Sequence, residues 1–286
     1  MSSLVIHPQT DHQLTAFKAK PSHAVLLHGP AGSGKGSVAR SLAADVLTVT
    51  THKLDAYPYL LQLDAPSISS SAIESIRQLE HFLSLKVPST SSISRIVIIT
   101  DAQTLSMQAQ NALLKTLEEP PEATLLILTA TNQASLLATI SSRIQAIAIK
   151  PPAQALLQAC YRSDGHSVKD IDQAYAMSGG LPGLMTALLT NADHPLQSAT
   201  HTARQLLQQT IYERLLQVEE LVKQKTLAIN TLFILQQMAH ARLQSTTGAQ
   251  FNRWQQILQA SYEASEKLNH NGQPKLVLDA LMLKLN

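Results

Sequence analysis

The most regular pattern in this chain is a series of short apolar runs, each followed by a segment with helical spacing. The run Ile96–Ile99 is continuously β-branched, which is typical of a strand covered on both faces of a parallel sheet. Helical spacing then begins at Ser106, a residue type that caps helices, and stops at Pro120 and Pro121. The stretch 93–121 therefore predicts a buried strand, a tight turn and a helix.

Similar patterns predict four more strands and three more helices in the first half of the chain. The predicted strands are His23–His28, Tyr59–Ala65, Thr124–Thr131 and Ile144–Ile149, and the predicted helices are Ser37–Leu47, Ser67–Val87 and Ser135–Arg143. Strands that alternate with helices indicate an α/β fold, with a parallel sheet flanked by helices. We expect this first domain to close near residue 150.

From Pro152 onward the pattern is helical, with glycine and proline mainly at helix boundaries. A small group of helices is expected up to about residue 195, beside the nucleotide edge of the first domain, followed by a second helical unit. Its long predicted runs are Leu206–Val222, Leu227–Leu243 and Phe251–Leu268, with a last apolar stripe at Leu276, Leu278, Leu281, Met282 and Leu285. Such stripes usually form the core of a helical bundle.

Composition and charge exclude several classes of protein. The 286 residues are 44% hydrophobic, enough for real cores, and a net charge of +2 gives no global basic field for nucleic acid or a membrane surface. The single cysteine, Cys160, excludes an intrachain disulfide framework and a four-cysteine zinc site. With neither a signal-peptide pattern nor an apolar run long enough to span a bilayer, the sequence predicts a soluble, cytoplasmic protein without zinc.

A glycine-rich segment joins the first predicted strand to the first predicted helix. It reads Gly29-Pro30-Ala31-Gly32-Ser33-Gly34-Lys35, which has the GxxxxGK spacing of a phosphate-binding loop. The glycines allow backbone amides to turn around phosphate oxygens, the helix N-terminus adds partial positive charge, and Lys35 would neutralise the β- and γ-phosphates. A simple glycine-rich turn is the alternative, but the strand–loop–helix context favours the phosphate loop.

The position after Lys35 departs from this motif. A Ser or Thr whose hydroxyl ligates magnesium is expected there, whereas this chain has Gly36, with Ser37 one residue late. One residue turns a side chain by about 100° on a helix, so Ser37 is predicted to point away from the metal.

Four segments are similar to the clamp-loader family of AAA+ proteins, closest to the delta-prime subunits of bacterial DNA polymerase III. They are NALLKTLEEPP (Asn111–Pro121), LLATISSRIQ (Leu136–Gln145), GGLPG (Gly179–Gly183) and PKLVLDALMLKL (Pro274–Leu285). The resemblance implies an AAA+ nucleotide-binding core at 1–150, a helical lid at 151–195 and a C-terminal collar at 196–286, through which five subunits form an open ring.

The resemblance also implies that the hydrolysis site is degenerate. Hydrolytic members carry Asp-Glu-Ala where this chain has Thr100, Asp101 and Ala102, so the carboxylate that holds magnesium is missing and Asp101 is shorter than the Glu it replaces. A register shifted by one residue would give Asp101 the magnesium role, but the helix that follows favours the unshifted register. Gly183 falls where catalytic relatives place a lid arginine.

One family feature that acts on the neighbouring subunit is retained in this sequence. Ser142-Arg143-Ile144 matches the family's Ser-Arg-Cys motif, whose arginine reaches the ATP bound to the adjacent subunit. Ile for Cys is a modest change, since a free cysteine packs as a small hydrophobe. Spacing alone would favour an ordinary surface arginine that closes a helix, so the catalytic role in trans rests on the resemblance.

The resulting hypothesis is a structural and regulatory clamp-loader subunit that is not an active ATPase by itself. It is expected to bind ATP or ADP weakly or statically, with little use of magnesium. Its expected partners are the other subunits of a hetero-pentameric ring, the sliding clamp and, through the complex, primer-template DNA. The alternatives are a working ATPase subunit of the gamma/tau type and a stand-alone AAA+ adaptor.

Overall fold

The chain divides into two compact units, one from Leu4 to Pro151 and the other from Pro152 onward. This division comes from a computed structural model, which describes residues 4–65, 72–87, 92–190, 195–243, 246–269 and 272–285.

The first unit alternates strands and helices. Its elements are α1 (Pro8–Ala19), β1 (Ala24–His28), α2 (Lys35–Val46), β2 (Leu60–Asp64), α3 (Ala72–Ser84), β3 (Arg95–Thr100), α4 (Met107–Glu118), β4 (Thr124–Ala130), α5 (Ala138–Ser141) and β5 (Gln145–Ala148). Short 3-10 turns lie at Leu54–Ala56, Ala102–Thr104 and Gln133–Ser135.

The five strands form one sheet in the order β2-β3-β4-β1-β5, and every neighbouring pair is parallel. Parallel neighbours require crossover connections, which the helices supply. The prediction of a parallel α/β sheet is confirmed. Because all strands run the same way, the chain segments that follow β1, β3 and β4 leave the sheet at one edge, where open α/β sheets bind their ligands.

Each face of the sheet carries its own hydrophobic cluster. Along β3, Val97 and Ile99 belong to one cluster, together with residues of α3, α4 and α5, whereas Ile96 and Ile98 belong to the other, together with residues of α1 and α2. All four side chains are at most 1% exposed. Burial on both faces explains the uninterrupted β-branched run and confirms that β3 is an interior strand.

The helix predicted at Ser135–Arg143 is wrong in length. A 3-10 turn, in which the Asn132 side chain accepts from the Ala134 amide, replaces its start, and Leu136 and Leu137 are extended. Gln110 accepts from the Leu137 amide at 3.1 Å, so α4 fixes the chain just before a single helical turn begins at Ala138. For the predicted helix Ser67–Val87, residues 66–71 lie outside the described residues, and the helix ends at Ser84.

The described part of the second unit is helical. Its helices are α6 (Gln154–Ser163), α7 (Val168–Ser178), α8 (Pro182–Leu189), α9 (Pro195–Gln208), α10 (Ile211–Lys223), α11 (Lys225–Leu243), α12 (Gly248–Asn269) and α13 (Pro274–Lys284). Within the ranges that the structure describes, no helix of either unit is both long and apolar enough to cross a bilayer.

The single run predicted at Leu206–Val222 is wrong, because the chain breaks between α9 and α10. Thr210 caps α10: its hydroxyl accepts from the Glu213 amide, and the Glu213 carboxylate accepts from the Thr210 amide at 2.8 Å. This reciprocal capping box satisfies amides at the helix start.

One hydrophobic cluster runs through the second unit. It joins Leu181 and Leu184 around the start of α8 to buried residues of α9 through α13. Four residues of the predicted last stripe are buried in it, but Leu276 is 63% exposed. The separation of a lid at 151–195 from a collar at 196–286 remains a prediction.

Candidate functional site

The glycine-rich loop connects β1 to α2 at the carboxyl edge of the sheet. Backbone geometry requires glycine at three of its positions, for two different reasons. Gly32 and Gly34 have φ values of +75° and +84°, in the left-handed region that side chains disfavour. A Cβ on Gly29 would lie 2.9 Å from the Ile149 carbonyl oxygen. The loop conformation therefore requires glycine at these three places.

Lys35 is the first residue of α2, and its side chain folds back over the loop. Its Nζ lies 3.4 Å from the Pro30 carbonyl oxygen and 4.0 Å from Asp101 Oδ1, and the side chain is 11% exposed. Burial lowers the pKa of the Lys35 ammonium, and the Asp101 carboxylate opposes that shift. Lys35 thus presents a cation at the loop where phosphate oxygens would bind.

The other residues of the loop fit a bound phosphate group. Ser33 is 3% exposed, and its hydroxyl has no hydrogen-bond partner in the described part of the chain. A buried hydroxyl without a hydrogen-bond partner lowers the stability of the protein unless a ligand provides that partner. No side chain caps α2, which begins just after Gly34, so its first amides are not blocked by a cap. Pro30 and Ala31 form the outer, partly exposed part of the loop.

The prediction that Ser37 points away from a magnesium ion concerns the two residues that follow Lys35 and stays a prediction. Gly36 offers no side chain, and Ser37 is exposed. In the described ranges no group of three or more His, Cys, Asp or Glu side chains is arranged to hold a metal ion. The limited use of magnesium remains a prediction.

Thr100 and Asp101 face different partners at the end of β3. The Thr100 hydroxyl donates to Asp64 Oδ1 at 2.7 Å, and Asp64 lies opposite Thr100 in the β2–β3 register. Asp101 adopts a left-handed conformation (φ +49°), and its amide donates to the Thr129 hydroxyl at 3.0 Å. The structure therefore brings the Asp101 carboxylate to Lys35, whereas Thr100 turns to the neighbouring strand.

Three side chains that shape this edge were missed in the sequence: Asp64, Thr129 and Gln103. Gln103 Nε2 donates to Asp101 Oδ1 at 3.3 Å. Thr129 is 2% exposed and follows four consecutive apolar residues of β4, and such a polar residue near a strand end was the signal that could have found it. Asp64 ends its strand in the same way, but its proximity to Thr100 depends on the strand order.

Arg143 follows α5 and is held on its own unit. Its Nη1 donates to the Thr139 carbonyl oxygen at 2.9 Å and lies 3.3 Å from the Ser142 hydroxyl, while Nη2 lies 3.0 Å from Glu118 Oε1. The side chain is 38% exposed. Among the described residues, Arg143 makes no hydrogen bond or ion pair with the phosphate loop of its own chain.

The remaining two predicted positions lie on separate elements. Ile144, which follows Arg143, is buried at 9% exposure. Gly183 lies in the first turn of α8, in the second unit, where it offers no side chain.

The strand order, the GxxxxGK loop after β1 and the helical second unit define a P-loop protein with the AAA+ fold. A family model described as "DNA polymerase III, delta subunit" matches residues 9–153, and the chain belongs to this family.

Comparison with known proteins agrees with this class. The chain is 30% identical over 184 residues to DNA polymerase III subunit delta′ of Pseudomonas aeruginosa, an alignment that covers 58% of this chain and 55% of that protein. It is 31% identical over 150 residues to DNA polymerase III subunit tau of Bacillus subtilis, covering 46% of this chain and 25% of tau. The chain thus spans about half the length of the curated delta′ relatives it matches.

A solved structure of a gamma subunit-related protein of DNA polymerase III from Thermotoga maritima has the same fold. It superposes with a TM-score of 0.51 over 97% of this chain and 98% of that one. At 18% identity the similarity shows the fold alone.

Proposed function

We propose that this chain is a delta′-type subunit of the replicative clamp loader of DNA polymerase III, and that it acts on ATP bound to a neighbouring subunit. The observation that carries the proposal is the contrast between two sites of the first unit. Arg143 is exposed and free of its own phosphate loop, whereas the magnesium position of β3 holds Thr100, bonded to Asp64. Such a chain can assist ATP hydrolysis at the neighbouring subunit's site without hydrolysing ATP efficiently at its own site.

The residues that would hold a nucleotide are Ser33, Lys35 and the amides at the start of α2. ATP or ADP would supply phosphate oxygens that accept a hydrogen bond from the Ser33 hydroxyl and pair with the Lys35 ammonium. Because Gly36 and Thr100 lack the usual magnesium-ligating groups, binding is expected to be weak or static and to depend little on magnesium. Arg143 would stabilise charge on the phosphoryl group at the neighbouring site through its planar donor fork.

The proposed partners are the other subunits of a hetero-pentameric ring, the sliding clamp, and primer-template DNA through the assembled complex. The proposed location is the cytoplasm. The names of the relatives, which are replicative polymerase subunits, support this assignment.

A second candidate is a working ATPase subunit of the gamma/tau type. The observation in its favour is the approach of the Asp101 carboxylate to Lys35, at 4.0 Å, which keeps an acidic group beside the phosphate loop. Phosphate release by the isolated chain separates the two candidates: the delta′ proposal predicts release near background, and steady turnover would favour the second candidate.

Reconstitution tests the proposal directly. The chain is mixed with the tau- or gamma-type and delta-type subunits of its own organism, and loading of the clamp onto primed DNA is measured with and without it. We expect a stable complex that contains the chain, and loading that requires it. If the chain neither joins the complex nor changes loading, the proposal is wrong and a stand-alone adaptor is favoured.

A further inference from the structure

We propose that Glu118 is the positioning residue that orients Arg143 toward the neighbouring subunit's nucleotide. This inference rests on the function proposed above and assigns a role to Glu118, a residue of the NALLKTLEEPP segment to which the sequence analysis gave none. The Glu118 carboxylate lies 3.0 Å from Arg143 Nη2, across a gap of 25 positions in the chain.

The position of Glu118 is fixed by the end of a helix. It is the last residue of α4, Glu119 is the C-cap residue, and Pro120 and Pro121 prevent continuation. The partial negative charge at a helix C-terminus disfavours a carboxylate there. Pairing with a cation offsets this cost, and Arg143 is the cation that Glu118 contacts.

The three contacts of the guanidinium lie on two of its nitrogens. Nη1 donates to the Thr139 carbonyl oxygen and the Ser142 hydroxyl, and Nη2 forms an ion pair with Glu118 Oε1 at 3.0 Å. In the described part of the chain, Nε makes no hydrogen bond or ion pair. The Nε–H group is therefore available to a phosphate oxygen of a neighbouring nucleotide.

Thr139 and Ser142 belong to the same short turn as Arg143, whereas Glu118 belongs to another helix. The contacts with Thr139 and Ser142 alone fix the Arg143 side chain only relative to its own turn, not relative to the sheet. The ion pair ties it to α4, which is packed into the core through Leu113 and Leu117. Glu118 therefore fixes the direction of the side chain relative to the sheet.

The size of the effect follows from exposure. The Arg143 and Glu118 side chains are 38% and 53% exposed. An ion pair that is this exposed changes the population of the conformer it stabilises by up to about fivefold. An opposite role is also testable: if Glu118 mainly sequesters Arg143, its loss would accelerate hydrolysis.

The test uses the reconstituted clamp loader and its steady-state ATP hydrolysis. Glu118→Gln removes the charge with little change of shape, Glu118→Ala removes the contact, and Glu119→Gln is the matched control, since Glu119 is exposed and its side chain has no partner among the described residues. We expect the kcat of the complex to fall for both Glu118 variants, by less than about fivefold because other ATP sites in the ring contribute to the total, with KM for ATP, complex formation and the thermal midpoint of the isolated chain unchanged. Glu119→Gln should match the wild type.

A second comparison links the effect to Arg143. In an Arg143→Ala background, Glu118→Gln should cause no further loss, because the residue that it positions is gone. Loss in that background, an unchanged kcat or a faster one in the single variant each overturns the positioning role. If Arg143→Ala itself has no effect, the proposed function fails instead, so the two failures are distinguishable.

Discussion

Lys35 combines a buried ammonium with a loop whose amides are not capped by a side chain. This part of the site could be predicted from the sequence because GxxxxGK is a local pattern: every group needed lies within seven consecutive residues. Its neighbours Asp64, Thr129 and Gln103 could not, since they come from other segments. Their proximity depends on strand order, and short apolar runs do not fix which strands are adjacent.

Lys35→Ala tests the residue-scale account of the loop. Loss of a charge-assisted contact to phosphate should weaken nucleotide binding by the isolated chain by about tenfold or more, measured by titration with a fluorescent ATP analogue. Clamp loading by the reconstituted complex should stay close to the wild-type rate, because under the proposed function hydrolysis would occur in other subunits. A hundredfold fall in loading, the scale of a lost phosphoryl-transfer group, would falsify the structural role.

At the scale of elements, the helices and strands with a strong period were predicted well, and the breaks between them were not. Strand β3 and the cap of α4 by Ser106, whose hydroxyl accepts from the Ala109 amide, follow from local sequence. The start of α5 is set instead by Gln110 of another helix. The break before α10 had a local signal that we did not use, the Thr-x-x-Glu pattern from Thr210 to Glu213.

Thr210→Ala tests that capping box. Removing the N-cap hydroxyl should lower the free energy of unfolding of the second unit by about 1 kcal/mol. The control is Thr202→Ala, because the Thr202 hydroxyl only donates to the Ser198 carbonyl oxygen within α9. Chemical denaturation followed by circular dichroism measures both, and an equal cost for the two variants would contradict the cap assignment.

The same capping box has a pH dependence. Hydrogen bonds from the Thr210 amide and hydroxyl hold the pKa of Glu213 below its ordinary value of 4.5. A pKa lowered in the folded state adds stability above pH 4.5, and that stability is lost as the pH falls through the folded-state pKa. The difference in the free energy of unfolding between the wild type and Thr210→Ala should therefore become smaller at acidic pH.

At the scale of the whole molecule, the sheet unit has two clusters of its own and needs no residue beyond Pro151 to complete them. The α/β class could be predicted because strands alternate with helices along the sequence. The packing of α8 through α13 around one cluster could not, because apolar stripes on many helices do not specify which stripes meet.

A fragment of residues 1–151 should fold on its own and unfold cooperatively. A matched fragment of residues 1–143 lacks β5, which pairs with β1, so it should be far less stable or aggregate from the exposed strand. Circular dichroism and thermal unfolding of the two fragments check this. Failure of the longer fragment to fold would contradict the independence of the first unit.

The central claim is that this chain acts on ATP bound to its neighbour through Arg143, and the most direct measurement is steady-state ATP hydrolysis by clamp loader reconstituted with Arg143→Ala. We predict unchanged folding, complex formation and nucleotide binding by the variant chain, and slower hydrolysis by the complex, with no rescue by Arg143→Lys. Such an arginine contributes about 10³ to 10⁵ in rate at one site, and other ATP sites in the ring would make the total loss smaller. Hydrolysis at the wild-type rate would show that Arg143 is an ordinary helix-end arginine and would contradict the account.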